Sequence, residues 1–330
     1  MELKAEEVIS AIEKKKYFRE FLKEKQNGKI THAYAFFSED KLTLKFLLTL
    51  CAMTICCPKN GCGMCSVCGK ILKNVHTDVM TVSSPKIKVE DIEKLKEDIV
   101  LLPYEGDCKV YILQNAETMN ESAQNKLLKL IEEPPQNAVF LFGVSDEFSL
   151  LSTVKSRMKR IDVERFAPED ILGIKSFVKQ AGNAKNAELA AVISEGNLSA
   201  AAEIASDGKY NSVFALATGL YAKLKNSRCV AACMADLTPY KDYINEFLNI
   251  LLIFTKDMLQ YELGRADKII LKNSEKEIIS VLWEFNAPAL MGIIEKINAT
   301  RKKLMLNCNP VLAAERLLFD ILEVKYICRT

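Results

Sequence analysis

Long apolar runs are missing from this chain. Its longest strongly apolar stretch is Ile250-Leu-Leu-Ile-Phe254, far short of the roughly 20 residues a helix needs to cross a bilayer, so no membrane span or membrane partner is expected. Net charge is nearly absent too, with 45 basic residues against 43 acidic ones for a formal +2. That balance does not draw the whole molecule to nucleic acid and leaves room only for a local basic patch. Histidine is scarce: His32 and His76 are the only two. Neither follows the cysteines at zinc-finger spacing, and both read as packing or capping residues. The one Trp, Trp283, is expected in the core of a helical bundle. The start, Met1-Glu-Leu-Lys-Ala-Glu-Glu7, is too charged for a secretory signal. Cys51, Cys108, Cys229, Cys233, Cys308 and Cys328 are scattered in apolar surroundings, which suits a reducing, cytoplasmic compartment and not a disulfide framework. Low-complexity stretches and fixed-period repeats are absent.

What is present is enough chain for two or three domains: 330 residues, 49% of them hydrophobic, so each domain can bury a core. The first half alternates short β-rich runs with helical patterns. Strands are expected at Ala33–Phe37, Asp78–Val82, Lys109–Leu113, Ala138–Val144 and Lys159–Val163, with helices over 40–56, Val89–Leu101 and Met119–Glu133, the last stopped by Pro134-Pro135. Ala138–Val144 is continuously apolar, as strands of a parallel sheet are when both faces are covered. The pattern predicts a doubly wound α/β domain. After Phe166 the strands stop. Pro168–Gln180, Ala187–Ser194 and Leu198–Ser206 read as a small helical unit, with Gly208 a plausible joint. From about Asn211 onward longer helices follow. Ile244 to Leu259 is apolar on more than one face, as in a bundle core or a shared interface.

The densest chemical signal is Cys56, Cys57, Cys62, Cys65 and Cys68. Cys62-Gly-Met-Cys65-Ser-Val-Cys68 forms two overlapping Cys-x-x-Cys knuckles, a spacing at which a tight turn offers both sulfurs to one Zn²⁺. Cys57 is the expected fourth ligand and Cys56 the alternate; spacing does not separate them. A closed four-thiolate site is structural and does no hydrolysis. The competing readings are buried free thiols or a redox pair. So many thiols in one short stretch, with Pro58, Gly61, Gly63 and Gly69 at the turns, favour zinc.

A second signal is a loss. Ile30–Ser38 leads into the position where a nucleotide-binding α/β domain places its phosphate loop, which needs Gly for sharp turns, Lys for the phosphates and Ser or Thr for Mg²⁺. Here the loop reads Ser38-Glu-Asp-Lys-Leu-Thr-Leu-Lys45. It has no Gly, and Leu44 stands in the Lys position. Lys41 and Lys45 are present, but Glu39 and Asp40 would repel a triphosphate. At the end of the third strand an ATPase needs an Asp-Glu pair for metal and water; Gln114 and Asn115 stand there, with Glu117 a cap-region carboxylate.

These pieces together resemble the clamp-loader branch of the AAA+ proteins. The resemblance rests on His32-Ala-Tyr34, the cysteine module, His76-Thr-Asp78, Glu105-Gly-Asp-Cys-Lys-Val110, Ala116-Glu-Thr-Met119, Asn125-Lys-Leu-Leu128, Leu130-Ile-Glu-Glu-Pro-Pro135 and Ser156-Arg157. They stand in family order over roughly residues 25 to 165; beyond that, Asn309-Pro-Val-Leu312 and Glu315 are suggestive. Met158 replaces the family's usual Cys, and Ser145 falls at its sensor position. The resemblance implies an AAA+ α/β core with zinc module (1–166, cysteines 57–68), a helical lid (167–208) and an all-α C-terminal collar bundle (209–330). It implies a subunit that binds no ATP, is no enzyme alone, and offers Arg157 in trans to a neighbour's ATP. Its partners would be the ATPase (gamma/tau) and clamp-opening (delta) subunits, with the sliding clamp and primed DNA reached through the complex. Two other classes remain: an ATP-hydrolysing motor of the same loader, for which the phosphate loop is lacking, and a zinc-containing nucleic-acid-binding adaptor. The adaptor would need aromatics beside Lys59, Lys70 and Lys73, and there are none.

Overall fold

A computed structural model describes residues 3–135, 137–306 and 308–327. Five parallel strands form one sheet in the order β2-β3-β4-β1-β5: β1 Ala33–Phe37, β2 Val79–Val82, β3 Lys109–Leu113, β4 Ala138–Val144 and β5 Lys159–Asp162. Interior strand β1 registers Ala35 against Phe142 of β4 on one side and against Arg160 of edge strand β5 on the other. The helices of this region are α1 Ala5–Glu13, α2 Lys16–Gln26, α3 Lys41–Cys56, α4 Ser66–Leu72, α5 Val89–Ile99, α6 Glu121–Glu132 and α7 Ser152–Lys155. The doubly wound α/β expectation holds.

The alternation along β4 shows why its run is apolar throughout. Phe140, Phe142 and Val144 join Ala33, Ala35 and Tyr111 in a core closed by Ile92 and Leu95 of α5 and Leu127 and Ile131 of α6. The opposite face carries Gly143, where a Cβ would lie 2.9 Å from both the Gln114 carbonyl and the Leu48 side chain. Glycine therefore lets α3 lie close on the sheet. On that side of β1, Phe21 of α2 meets Tyr34 edge-on, 5.0 Å between ring centres.

Chain contacts divide the molecule into two compact units, residues 1–177 with 195–200, and 178–194 with 201–330. In the second, helix Ile244–Glu262 is buried most of the way round among Gly208–Lys223, Ala287–Met305 and Pro310–Ile327. No single helix among the described residues is long and apolar enough to cross a membrane.

Several expectations shift. Helices α1, α2 and α4 were not expected, although α1 and α2 are amphipathic, burying Val8, Ile9 and Ile12 and Tyr17, Phe18 and Phe21 at helical spacing. The helix expected over Val89–Leu101 stops at Ile99, and Pro168–Gln180 is broken at Gly173-Ile174 into Pro168–Leu172 and Lys175–Gln180. Trp283 is not core: it is 76% exposed, at the C-cap of helix Glu275–Leu282, past the buried stripe of Ile278 and Val281. Its indole N–H donates to the Ser280 carbonyl at 3.1 Å. Cys308 is exposed, not apolar-packed, and Cys328 lies outside the described residues.

Candidate functional site: a four-cysteine cluster and the ends of the strands

The cysteine cluster is built where one helix stops and the next begins. Cys57 caps the C-terminus of α3. Asn60, Gly61 and Gly63 then take φ of 55°, 81° and 72°, a run of left-handed conformations that doubles the chain back. A Cβ on Gly61 would also sit 3.0 Å from the Thr54 hydroxyl. Cys65 caps the N-terminus of α4, its sulfur accepting from the Cys68 amide at 3.5 Å. As a result the sulfurs of Cys57, Cys62, Cys65 and Cys68 all lie within 4.8 Å of one another. Cys57 Sγ is 3.8 Å from Cys62 Sγ and 3.6 Å from Cys65 Sγ. Tetrahedral zinc with Zn–S near 2.3 Å sets sulfur–sulfur edges of about 3.8 Å, so this donor set fits that ion.

The cluster is tuned toward thiolate at Cys57 and Cys62. Burial raises the Cys57 thiol, but the amides of Cys62, Lys59 and Gly61 outweigh it and bring the pKa down to about 6. The amides of Met64 and Cys65 hold Cys62 below its usual value, whereas burial pushes Cys68 up. Cys56 is not in the group. It hydrogen-bonds to Cys108, which raises its pKa and lowers that of Cys108.

His76-Thr-Asp78 and Glu105-Gly106 anchor this module to the sheet. Buried Asp78 accepts from the amides of Tyr104, Glu105 and Gly106 at 2.6, 2.6 and 3.0 Å, and His76 Nδ1 accepts from the Asp78 amide at 3.1 Å. Glu105 in turn takes Lys70 of α4 at 2.7 Å. Burial works to raise the Asp78 carboxyl, yet the three amides hold it below its ordinary value. A carboxyl depressed in the folded state stabilises above its unfolded pKa, and that contribution is lost as pH falls through the folded pKa. Asp78→Ala should cost about 3 kcal/mol at neutral pH, from three amides left without their acceptor. The gap from wild type should narrow in acid. Denaturant midpoints across pH measure both; a pH-independent gap would contradict the assignment.

The carboxyl ends of β1, β3 and β4 meet beside the switch in strand order, where ligands of open α/β sheets bind. Here the chain's own groups fill the place. Leu44 is 2% exposed, a core residue. Asn115 donates to the Ser84 carbonyl at 3.1 Å. Glu117 accepts from the Ser145 hydroxyl at 2.5 Å and lies 3.8 Å from Lys41. Asp40 caps α3, accepting from the Thr43 amide at 3.1 Å.

Arg157 follows α7. Its guanidinium donates to the Thr153 carbonyl at 2.9 Å and pairs at 2.7 Å with Glu132, at the end of α6. Both side chains are about half-exposed, at 38%. Buried Gln124 of α6 fixes the approach to α7, donating to the Met119 and Ser149 carbonyls at 3.0 and 2.8 Å and accepting from the Leu151 amide at 2.7 Å. Arg160 stands apart, over the Phe37 ring and paired with Asp162.

A family model described as DNA polymerase III, delta subunit, matches residues 13–167. The delta' subunit of DNA polymerase III from Bacillus subtilis strain 168 is 24% identical over 294 residues, 86% of this chain and 88% of that one. These two matches support a clamp-loader delta-prime-like subunit. The gamma subunit from Buchnera aphidicola (Schizaphis graminum) is 27% identical over 174 residues, 51% of this chain and 48% of that relative, so the chain spans about half its length. The solved gamma subunit-related protein of Thermotoga maritima superposes with a TM-score of 0.39 at 17% identity, covering 92% of this chain and 99% of that one.

In this chain the separate sequence motifs prove to be partners. The Glu-Glu-Pro-Pro and Ser-Arg segments meet in the Glu132–Arg157 pair, and the His-Thr-Asp and Glu-Gly segments meet at Asp78. Sequence reasoning missed the Cys56–Cys108 contact, the Gln124 brace and the full role of Asp40. Of these only Asp40 left a signal, an acidic residue just ahead of an apolar helix as an N-cap.

Proposed function

We propose that this chain is the non-hydrolysing stator of the DNA polymerase III sliding-clamp loader. It would complete the loader ring beside the ATPase (gamma/tau) and clamp-opening (delta) subunits and help load the clamp onto primed DNA in the cytoplasm. The observation that carries this reading is the filled strand-end site, with buried Leu44 in the Lys position and Glu117 engaged by Ser145 and Lys41. Such a site lacks the loop glycines and the phosphate-binding Lys that a triphosphate needs, and Lys41 faces the Glu117 carboxylate instead. Arg157 is the residue offered in trans: a planar, permanently charged fork suits the γ-phosphate of an adjacent ATP. On its own chain it is held by Glu132, a half-exposed pair weak enough to be exchanged for a phosphate. One Zn²⁺ would be held by Cys57, Cys62, Cys65 and Cys68 as a structural staple. The chain would be organised as core 1–166, lid 167–208 and collar bundle 209–330, with apolar faces of the last shared in assembly.

Titration of the isolated chain with Mg-ATP should show no binding at millimolar concentration, and affinity capture from its own cell extract should retrieve gamma/tau-type and delta-type subunits. Micromolar ATP affinity would restore the motor reading; capture without those subunits would remove the loader.

A further inference from the structure

Asp40 does more than cap a helix. Its Oδ1 accepts from the Thr43 amide (3.1 Å), the Ser199 amide (3.2 Å) and the Ser199 hydroxyl (2.6 Å). Its Oδ2 accepts from the Thr43 hydroxyl (2.7 Å) and the Leu198 amide (2.6 Å). The Ser199 hydroxyl closes the ring by accepting from the Leu42 amide at 2.9 Å. The carboxylate is 5% exposed. Among the described residues its partners are N–H and O–H donors, and no Lys or Arg pairs with it. Thr43 lies in the first turn of α3, and Leu198 and Ser199 in the first turn of helix Leu198–Ser206. Two helix N-termini, each carrying a partial positive charge, therefore converge on one carboxylate. Without an anion between them the two ends would repel, and their amides would be buried without acceptors.

We propose that Asp40 is a built-in anion, occupying a latent oxyanion site that two helix N-termini create and holding segment 195–200 in place without any bound ligand. Such converging amides are what a phosphate-binding fold offers to a phosphate; here a side chain of the same protein supplies the acceptor oxygens. The segment is gripped from its other end as well. The Phe166 amide donates to the Gly196 carbonyl at 3.0 Å, and Gly196 has φ +84° with the Phe166 carbonyl only 2.2 Å from where a Cβ would be. Residues 195–200 count with the first compact unit although the chain on both sides of them belongs to the second. A subunit that binds no nucleotide needs such a segment held by its own side chains. The inference deepens the stator reading and rests on it.

The test uses the full chain with Asp40→Ala and Asp40→Asn, and Glu39→Ala as the control, an exposed acid one residue away paired only at the surface with Arg165. Amide hydrogen exchange at Leu198 and Ser199 should speed up by at least about tenfold in both Asp40 variants, since hydrogen bonds to a charged acceptor are lost. The control should leave it unchanged. Formate, a carboxylate without a chain, should slow that exchange and raise the melting temperature of Asp40→Ala saturably, and do neither in wild type. Unchanged exchange in both variants, or equal effects of formate on wild type and Asp40→Ala, would overturn the proposal. Should Asp40→Ala not fold, Ser199→Ala carries the test, since it removes one hydroxyl donor and must still accelerate the Leu198 amide. The wild-type Mg-ATP titration decides the stator reading separately, so the two failures are distinguishable.

Discussion

Arg157→Ala is expected to leave the chain folded and the loader assembled while slowing ATP hydrolysis about a thousand-fold at the one site it serves, the usual cost of removing an arginine finger. The total rate of a loader with several ATP sites falls less, so the clean measurement is single-turnover hydrolysis together with clamp loading on primed DNA. Stability should barely change, because the pair broken, Arg157 with Glu132, is half-exposed and such pairs contribute about 1 kcal/mol or less. Arg157→Lys should not rescue, since a point charge lacks the planar fork. Arg160→Ala is the control: its guanidinium lies 4.2 Å from the Phe37 ring centre and pairs with Asp162 of its own strand. Equal losses from Arg157→Ala and Arg160→Ala would mean a diffuse basic patch, and the finger assignment would fail. Glu132→Gln gives the opposite arm. It frees Arg157 without removing it, so activity should be retained.

Metal removal should have the second large effect, and a local one. Protein purified without chelator should carry one zinc per chain. Structural zinc contributes on the order of 10 kcal/mol to folding of the peptide that binds it. Cys62→Ser or exhaustive chelation should therefore unfold the stretch around α4, while the sheet, with its own apolar core, keeps its structure. Far-ultraviolet dichroism should change little, and protease should gain access near Met64, already 93% exposed. Protons compete with metal for thiolates. Zinc should therefore be retained at neutral pH and released in acid, at a pH below the one where the metal-free thiols take up their protons. Cys56→Ser should keep the metal and Cys57→Ser should lose it. Equal retention by both, or no zinc in an intact fold, would end the assignment.

Much of the α/β core was legible because its strands have to be apolar on both faces. Phe140 and Phe142 look one way and Gly143 the other, and the run is short and bounded by Pro134-Pro135 and Ser145-Asp146, as a buried strand is. The four-cysteine spacing was legible for a similar reason: a tetrahedron of sulfurs constrains local sequence. The choice between Cys56 and Cys57 was not, because neighbouring residues at a helix end diverge in space, one toward Cys108 and one toward the cluster. Arg157 could be singled out only through the resemblance; its tether to Glu132 joins two segments that no local rule connects. Trp283 was misplaced because size and apolarity suggested burial, whereas its position past the last turn of a short helix decided otherwise. The Asp40 network was invisible for the same reason as the Arg157 tether: most of its donors come from residues near 198, far along the chain.

The strand order also governs how the chain must be made. Ala33 of interior strand β1 pairs with Phe140 of β4, and at ribosomal speeds of roughly 5–20 residues per second that partner emerges about 5–20 seconds later. β5, its other neighbour, comes later still. Through that interval Ala33-Tyr-Ala-Phe-Phe37 is an apolar strand with both edges open, the kind of segment that pairs with whatever chain is nearest. The newborn protein stays in this state while residues 38 to 140 are synthesised, the cysteine module among them. Co-translational chaperones during that window, more than the stability of the finished sheet, should set how much of it folds.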